Sequence, residues 1–255
     1  MPFEPVTPEK LSQAVIRQIE QLILRGILRP GERLPPERDL ADRLRVSRPS
    51  LRDAISELQH AGLLTAKPGA GVYVAEVLGS AFAPALVELF ARHDEAVFDY
   101  LSFRRDMEAL AAERAARLGS DTDLAVVQAV FDKMEAAHAK TNPQEEAQLD
   151  AQFHMAIVEA SHNVVMLHMM RSMYELLRGG VFYNRQIMFQ QRTSRAALLD
   201  QHRAINTALQ TRDPVQARQA IEAHLDYVGV SLTNQKKADR NEQIAQQRLQ
   251  HETEG

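Results

Sequence analysis

From about residue 80 to about residue 245 the chain carries a single apolar period, that of the α-helix. No strand-like alternation interrupts it. Turn-forming residues break the run near Gly119-Ser120, Thr141-Asn142-Pro143, Ser161-His162-Asn163, Gln191–Thr193 and Asp213-Pro214. The pieces amount to six or seven helices averaging four or more turns. With no sheet to pack on, such helices bury their apolar faces against one another, so this part of the chain is expected to be an all-α bundle.

The remaining bounds are broad. At 255 residues there is room for two domains. Hydrophobic residues at 45% and charged residues at 25% are those of a water-soluble globular protein. No stretch approaches the ~18 uninterrupted apolar residues of a membrane span. The opening "MPFEPVTPEK" lacks the basic-then-apolar layout of a secretion signal. The absence of Cys excludes disulfides and thiolate metal sites. The expectation is a cytoplasmic protein with no membrane partner.

Residues 1–76 are patterned differently. In "PEKLSQAVIRQIEQLILRG", Leu11, Val15, Ile19, Leu22 and Ile23 share one helical stripe, with Gly26 as the stop. After a Pro-Gly turn, Pro35-Pro36 opens a short helix with Leu40, Ala41 and Leu44 inward. Ser47 suits the N-cap of a third helix that ends at Gly62. Two β-prone runs, 63–66 and 72–75, flank Lys-Pro-Gly-Ala-Gly and predict a hairpin. Three helices and a hairpin describe a winged helix-turn-helix. Residues 1–75 hold eleven Lys/Arg against nine Asp/Glu, the rest nineteen against twenty-five. That mild asymmetry gains meaning from placement, because Arg33, Arg38, Arg43, Arg45, Arg48 and Arg52 fall within twenty residues. Arg48 and Arg52 stand one turn apart near the start of the third helix, the end that enters a major groove in this fold. Their planar forks match guanine O6 and N7. Ser47 and Ser50 can donate to phosphates. At the wing tip Gly69 and Gly71 allow close backbone approach, and Lys67 is its one basic residue.

The stretch "LRPGERLPPERDLADRLRVSRPSLRDAISELQHAGLLTAKPGAGVYV" resembles the N-terminal domain of the GntR family of bacterial transcription regulators. The likeness covers almost all of residues 9–75. It implies a homodimer on a palindromic double-stranded operator. It assigns Arg38, Arg48 and Arg52 to the groove and Gly69 to the wing tip.

The helical part holds most of the nine histidines. His60, His93, His138 and His251 stand in polar surroundings and read as exposed; His162 and His168 flank a helix junction. In "LDAQFHMAIVEASH", Asp150 and His154 are four apart, which puts a carboxylate and an imidazole one turn apart on one helix face. His202 and His224 lie on or beside the apolar faces of two later helices. Nitrogen and carboxylate donors suit Zn²⁺, Ni²⁺ or Mn²⁺. By spacing alone only the 150/154 pair is fixed, and metal binding, acid–base chemistry and a buried hydrogen bond all remain open.

Residues 80–235 resemble the all-helical (FCD) effector domain of the fatty-acid-regulator-type (FadR) subgroup of GntR proteins. Many members carry an Asp-x3-His and two later histidines, here Asp150, His154, His202 and His224. The resemblance implies a divalent metal, no organic cofactor, and a small carboxylate effector completing the coordination. Arg104, in "YLSFRRDMEALAAERAA", aligns with the Arg of the subgroup's Arg-x-x-Leu-Glu motif and is the candidate carboxylate clamp; the other reading is an ordinary Arg104–Glu108 pair at i,i+4. Within the subgroup the likeness runs to the pyruvate dehydrogenase complex repressor and to lactate- and glycolate-responsive regulators. The expected organisation is a DNA-binding domain over 1–76, a linker and first helix over 77–95, an effector and dimerisation domain over 96–235, and a frayed polar tail over 236–255. The expected function is a ligand-responsive regulator, a repressor of a carboxylate-metabolism operon. The alternative is a metal-dependent, hydrolase-like enzyme fused to a DNA-binding domain, against which stands the lack of a His-Glu-x-x-His segment and of a base outside the ligand set.

Overall fold

The computed structural model describes residues 10–75, 84–140, 142–178 and 192–254. Over these it contains ten helices and one two-stranded sheet, divided into compact units at residues 1–79 and 80–255.

In the first unit α1 (Leu11–Leu24), α2 (Glu37–Leu44) and α3 (Arg48–His60) precede the hairpin β1 (Leu64–Lys67) and β2 (Gly71–Val74). Val15, Ile16, Ile19 and Ile23 of α1 close on Leu51, Ala54, Ile55 and Leu58 of α3, with Leu34, Ala41, Leu64 and Val74 filling the remainder. Leu11, on the stripe by spacing, lies in the first turn of α1 and is 57% exposed. Ser47 caps α3 as expected: its side chain accepts from the Ser50 backbone N–H, and Pro49 occupies the first turn. The hairpin pairs Leu64 with Val74 and Lys67 with Gly71. Its tip turns on Gly69, whose φ of +71° is open to glycine at no steric cost. The strand is widened by the 31–34 segment, where Leu34 N–H donates to Val72 O and Val74 N–H to Glu32 O.

The second unit is helical throughout its described residues: α4 (Pro84–Arg92), α5 (Asp94–Leu118), α6 (Asp121–Lys140), α7 (Pro143–Ala160), α8 (Val164–Arg178), α9 (Arg192–Gln210) and α10 (Pro214–Glu254). The boundaries follow the breaks in the sequence. Asn142 caps α7 by accepting from Gln144 and Glu145 N–H, Pro143 needs no donor at the first position, and Glu145 and Glu146 face the positive end of the helix. The expected break at Gln191–Thr193 touches residue 191, outside the described residues; Arg192 and Thr193 already belong to α9. The 77–95 stretch is also partly outside them, with α4 over 84–92. The core gathers alanines of α5 (Ala109, Ala112, Ala115, Ala116), Phe131 and Met134 of α6, Phe153 and Ile157 of α7, Ile205 and Leu209 of α9, and Ile221 and Leu225 of α10. Small residues on α5 let its backbone approach its neighbours closely.

Two expectations change here. Residues 236–254 continue α10 as exposed helix instead of fraying. The segment has neither Gly nor Pro and is rich in Gln, Arg, Lys, Glu and Ala, and Gln235–Asp239 and Gln246–Glu242 bond at i,i+4. His138, read as exposed, is half-buried: Arg195 bonds its carbonyl at 2.7 Å and its ring lies 3.5 Å from Glu146.

Candidate metal centre and nucleic-acid interface

Three helices supply the centre. Asp150 and His154 project from one face of α7, His202 from α9 and His224 from α10. All four are buried, the three histidines at 0–1% exposure. One ligand atom from each lies within 4.8 Å of every other. His202 Nε2 stands 3.1 Å from Asp150 Oδ1 and 3.3 Å from His154 Nε2, and His154 Nε2 is 3.7 Å from the same oxygen. Donors that each stand about 2.0–2.2 Å from one ion are separated by roughly 3–3.6 Å; both His202 spacings fall in that range and the His154–Asp150 spacing lies just beyond it, close to what a shared divalent cation needs.

The outer contacts fix which nitrogen faces inward. His224 Nδ1 meets Gln201 Oε1 at 2.9 Å, so Nδ1–H donates there and Nε2 is left for the centre. His154 Nδ1 has the Glu108 carboxylate 2.7 Å away, a close polar contact that falls short of directed hydrogen-bond geometry. His202 packs edge-on against Phe153, with centroids 5.4 Å apart. Burial pushes the His154 imidazole below its usual pKa, against the pull of Glu108. Burial, then the neighbouring His202 and His154, push His224 well below it. Both are therefore neutral at pH 7, the state a metal ligand requires.

A pH effect follows. These imidazoles resist protonation in the folded chain, whereas an unfolded chain takes up protons near the ordinary value of 6.5. Their contribution to stability is present above that value and lost as pH falls through the depressed folded value. The melting temperature of the metal-free chain is expected to drop between pH 7.5 and pH 5.5, followed by circular dichroism. A flat profile in that window would contradict the neutral, buried assignment.

Arg104 lies on the buried face of α5 at 1% exposure, its guanidinium 5.9 Å from the ring centroid of Tyr100 on the same helix and 5.1 Å from that of Tyr174. Its Nε donates to Glu108 Oε1 at 2.6 Å and its Nη2 to Tyr174 Oη at 3.1 Å. The i,i+4 pair is thus present, but sealed in the interior instead of on a solvated surface. Burial raises the pKa of the Glu108 carboxyl, yet Arg104 and His154 together outweigh it and hold the group well below the carboxylate range. Sequence reasoning treated Glu108 only as the partner of Arg104 and missed its reach to His154; its signal is position, four residues on along the face that Ala111, Ala112 and Ala115 continue.

In the first unit Arg38, Ser47, Arg48 and Arg52 are exposed and Ser50 is half-buried. The Ser47 hydroxyl is engaged in the cap and stands 2.9 Å from the Ser50 hydroxyl. Arg52 Nε donates to Glu37 Oε2 at 2.8 Å, tying α3 to α2. Arg38 pairs at 3.3 Å with Asp39. On the hairpin, Lys67 Nζ lies over the Tyr73 ring, 4.5 Å from its centroid. Gly71 has φ +110°, and a Cβ there would stand 3.1 Å from Arg33 Nε. Arg33 therefore brings a second cation to the wing beside Lys67, a contribution not visible in the tip sequence.

Comparison with known proteins agrees with this architecture. Residues 11–74 match the family model of bacterial regulatory proteins, gntR family, and residues 99–227 match the FCD domain. The chain belongs to the gntR family of bacterial regulatory proteins and carries an FCD domain. It is 34% identical over 231 residues to the Escherichia coli (strain K12) protein assigned as the L-lactate dehydrogenase operon regulator, covering 89% of this chain and 88% of that one. It is 31% identical over 226 residues to the glc operon transcriptional activator of the same organism, covering 87% and 89%. In fold it is similar to a Streptococcus agalactiae GntR structure, at a TM-score of 0.51 and 23% identity, covering 86% of this chain and 98% of that one. This gntR/FCD chain is a DNA-binding transcription regulator and not an enzyme, which sets aside the hydrolase-like alternative. Among the described residues no helix is long and apolar enough to cross a membrane.

Proposed function

We propose that this gntR/FCD protein is a cytoplasmic, homodimeric repressor that senses a small 2-hydroxy or 2-oxo acid at a divalent metal held by Asp150, His154, His202 and His224. The observation that carries the reading is the convergence of these four buried donors from three helices in a chain whose other unit reads DNA. Three nitrogens and one carboxylate oxygen suit Zn²⁺, Ni²⁺ or Mn²⁺. The bound metal supplies a Lewis-acidic position for a carboxylate. Arg104 supplies the second positive group; lactate, glycolate and pyruvate are the candidate acids, the first in keeping with the relative named for an L-lactate dehydrogenase operon. On a palindromic operator, Arg38, Arg48 and Arg52 read or line the major groove, Ser47 and Ser50 position the helix on phosphate, and Lys67, Gly69 and Gly71 bring the wing to the backbone. An effector shifts the regulator between DNA-binding and released states only by the difference in its affinity for them.

The test is a carboxylate screen on the metal-loaded chain, read as release from an operator mapped by footprinting. Lactate, glycolate or pyruvate is expected to release the DNA, while the same acid has no effect after metal removal. Release by none of the three, or equal release with and without metal, would overturn the sensing mechanism. Tighter DNA binding on effector addition would overturn the repressor assignment alone.

A further inference from the structure

Glu108 stands outside the ligand set, yet touches both halves of the proposed site. It is 1% exposed, on α5. One oxygen, Oε1, accepts from Arg104 Nε at 2.6 Å and from Tyr174 Oη on α8 at 2.8 Å. The other, Oε2, lies 3.4 Å from Arg104 Nη2 and 2.7 Å from His154 Nδ1 on α7. Arg104 thus presents its Nε/Nη2 edge, one of the two edges that grip a carboxylate through paired N–H groups, to a carboxylate of the protein itself.

We propose that Glu108 is a positioning residue with two opposed effects: it orients His154 toward the metal, and it occupies the edge of Arg104 that an incoming carboxylate would take. The inference rests on the sensor reading above. A carboxylate at Nδ1 favours the tautomer with its proton there and the lone pair on Nε2, which strengthens the ligand. For Arg104 the same carboxylate is a competitor. An effector reaching that edge exchanges one carboxylate for another, and Glu108 retains His154 while its hold on Arg104 loosens. Because Tyr174 bonds both Arg104 and Glu108, the exchange is felt on α8.

Formal charge fits this order of events. The side chains of Arg104, Glu108 and Asp150 sum to one negative charge. A divalent ion makes the sum one positive, and one effector carboxylate then brings it to neutrality. The metal-free centre has no charge to offer an acid; the loaded centre has one.

The experiment uses the full chain with Co²⁺ as the metal and glycolate as the acid, comparing wild type with Glu108→Gln and Glu108→Asp. Glutamine keeps the shape and removes the charge. Aspartate keeps the charge but is one methylene too short to span Arg104 and His154, and it serves if the glutamine leaves Arg104 too poorly paired to fold. Without glycolate, Glu108→Gln is expected to weaken Co²⁺ binding roughly 10- to 100-fold and to alter the cobalt visible spectrum. At saturating Co²⁺ the same variant is expected to bind glycolate severalfold more tightly than wild type. Opposite shifts in the two affinities are the signature, since general loosening of the core weakens both. Variants that melt as wild type does and match it in both affinities and in the spectrum overturn the inference alone. A wild-type chain that takes up no cobalt overturns the metal reading and this inference together.

Discussion

His202→Ala is expected to abolish stoichiometric metal binding. The residue comes from α9, a different helix from the Asp150/His154 pair, and its Nε2 is the atom that stands within 3.3 Å of both. Removing a direct ligand should cost more than the roughly 10–100-fold that loss of an outer contact costs. Elemental analysis after dialysis against a mild chelator measures it: near one ion per chain in wild type, near none in the variant. His202→Gln, which keeps bulk against Phe153, separates ligand loss from a collapsed core. His162→Ala is the control; this histidine is exposed and pairs with Asp123, outside the set. Unchanged metal content in His202→Ala would remove the centre from this location. Chelation of the wild type should also lower its melting temperature, because an ion bound only by the folded chain stabilises it.

Arg52→Ala is expected to weaken operator binding far more than binding to random DNA. A guanidinium matched to guanine contributes about 1–3 kcal/mol of discrimination, or roughly 5- to 150-fold. A phosphate contact weakens all sequences alike and reduces the salt dependence. Arg52 is exposed, and its bond to Glu37 is made through Nε and not through the terminal nitrogens that a guanine contact would use. Paired titrations on operator and scrambled duplex at fixed salt decide it; equal losses on both would assign Arg52 to the backbone.

How much of this was legible in the sequence depended on distance along the chain. Asp150 and His154 declared themselves because four residues are one helical turn. The same rule located Arg104 and Glu108 as neighbours, but not that they are buried, since burial is set by the helices that pack on α5, α10 and α7 foremost. The meeting of His202 and His224 with α7 depends on how the bundle closes, and spacing cannot state it; the family resemblance supplied it. Gln201, which orients His224, and Arg33, which joins the wing across the 31–34 segment, are contacts between distant stretches and left no local mark. The secondary structure was more accessible, because Asn142-Pro143, Asp213-Pro214 and Ser47 are punctuation with a fixed physical meaning. The tail is the opposite case: its polarity points to fraying, while its Gln, Arg, Lys, Glu and Ala favour helix, and helix is what it forms to Glu254.

His224 belongs to the same unbroken helix that ends at Glu254. Thirty residues of α-helix extend about 45 Å, so a one-degree tilt at the histidine moves the far end by about 0.8 Å. Were a metal held at His224, any change in its coordination that tilted α10 would be magnified along this helix to a displacement of atomic size at the tip; Leu225, Val228 and Leu232, buried just beyond the histidine, set how much tilt the core admits.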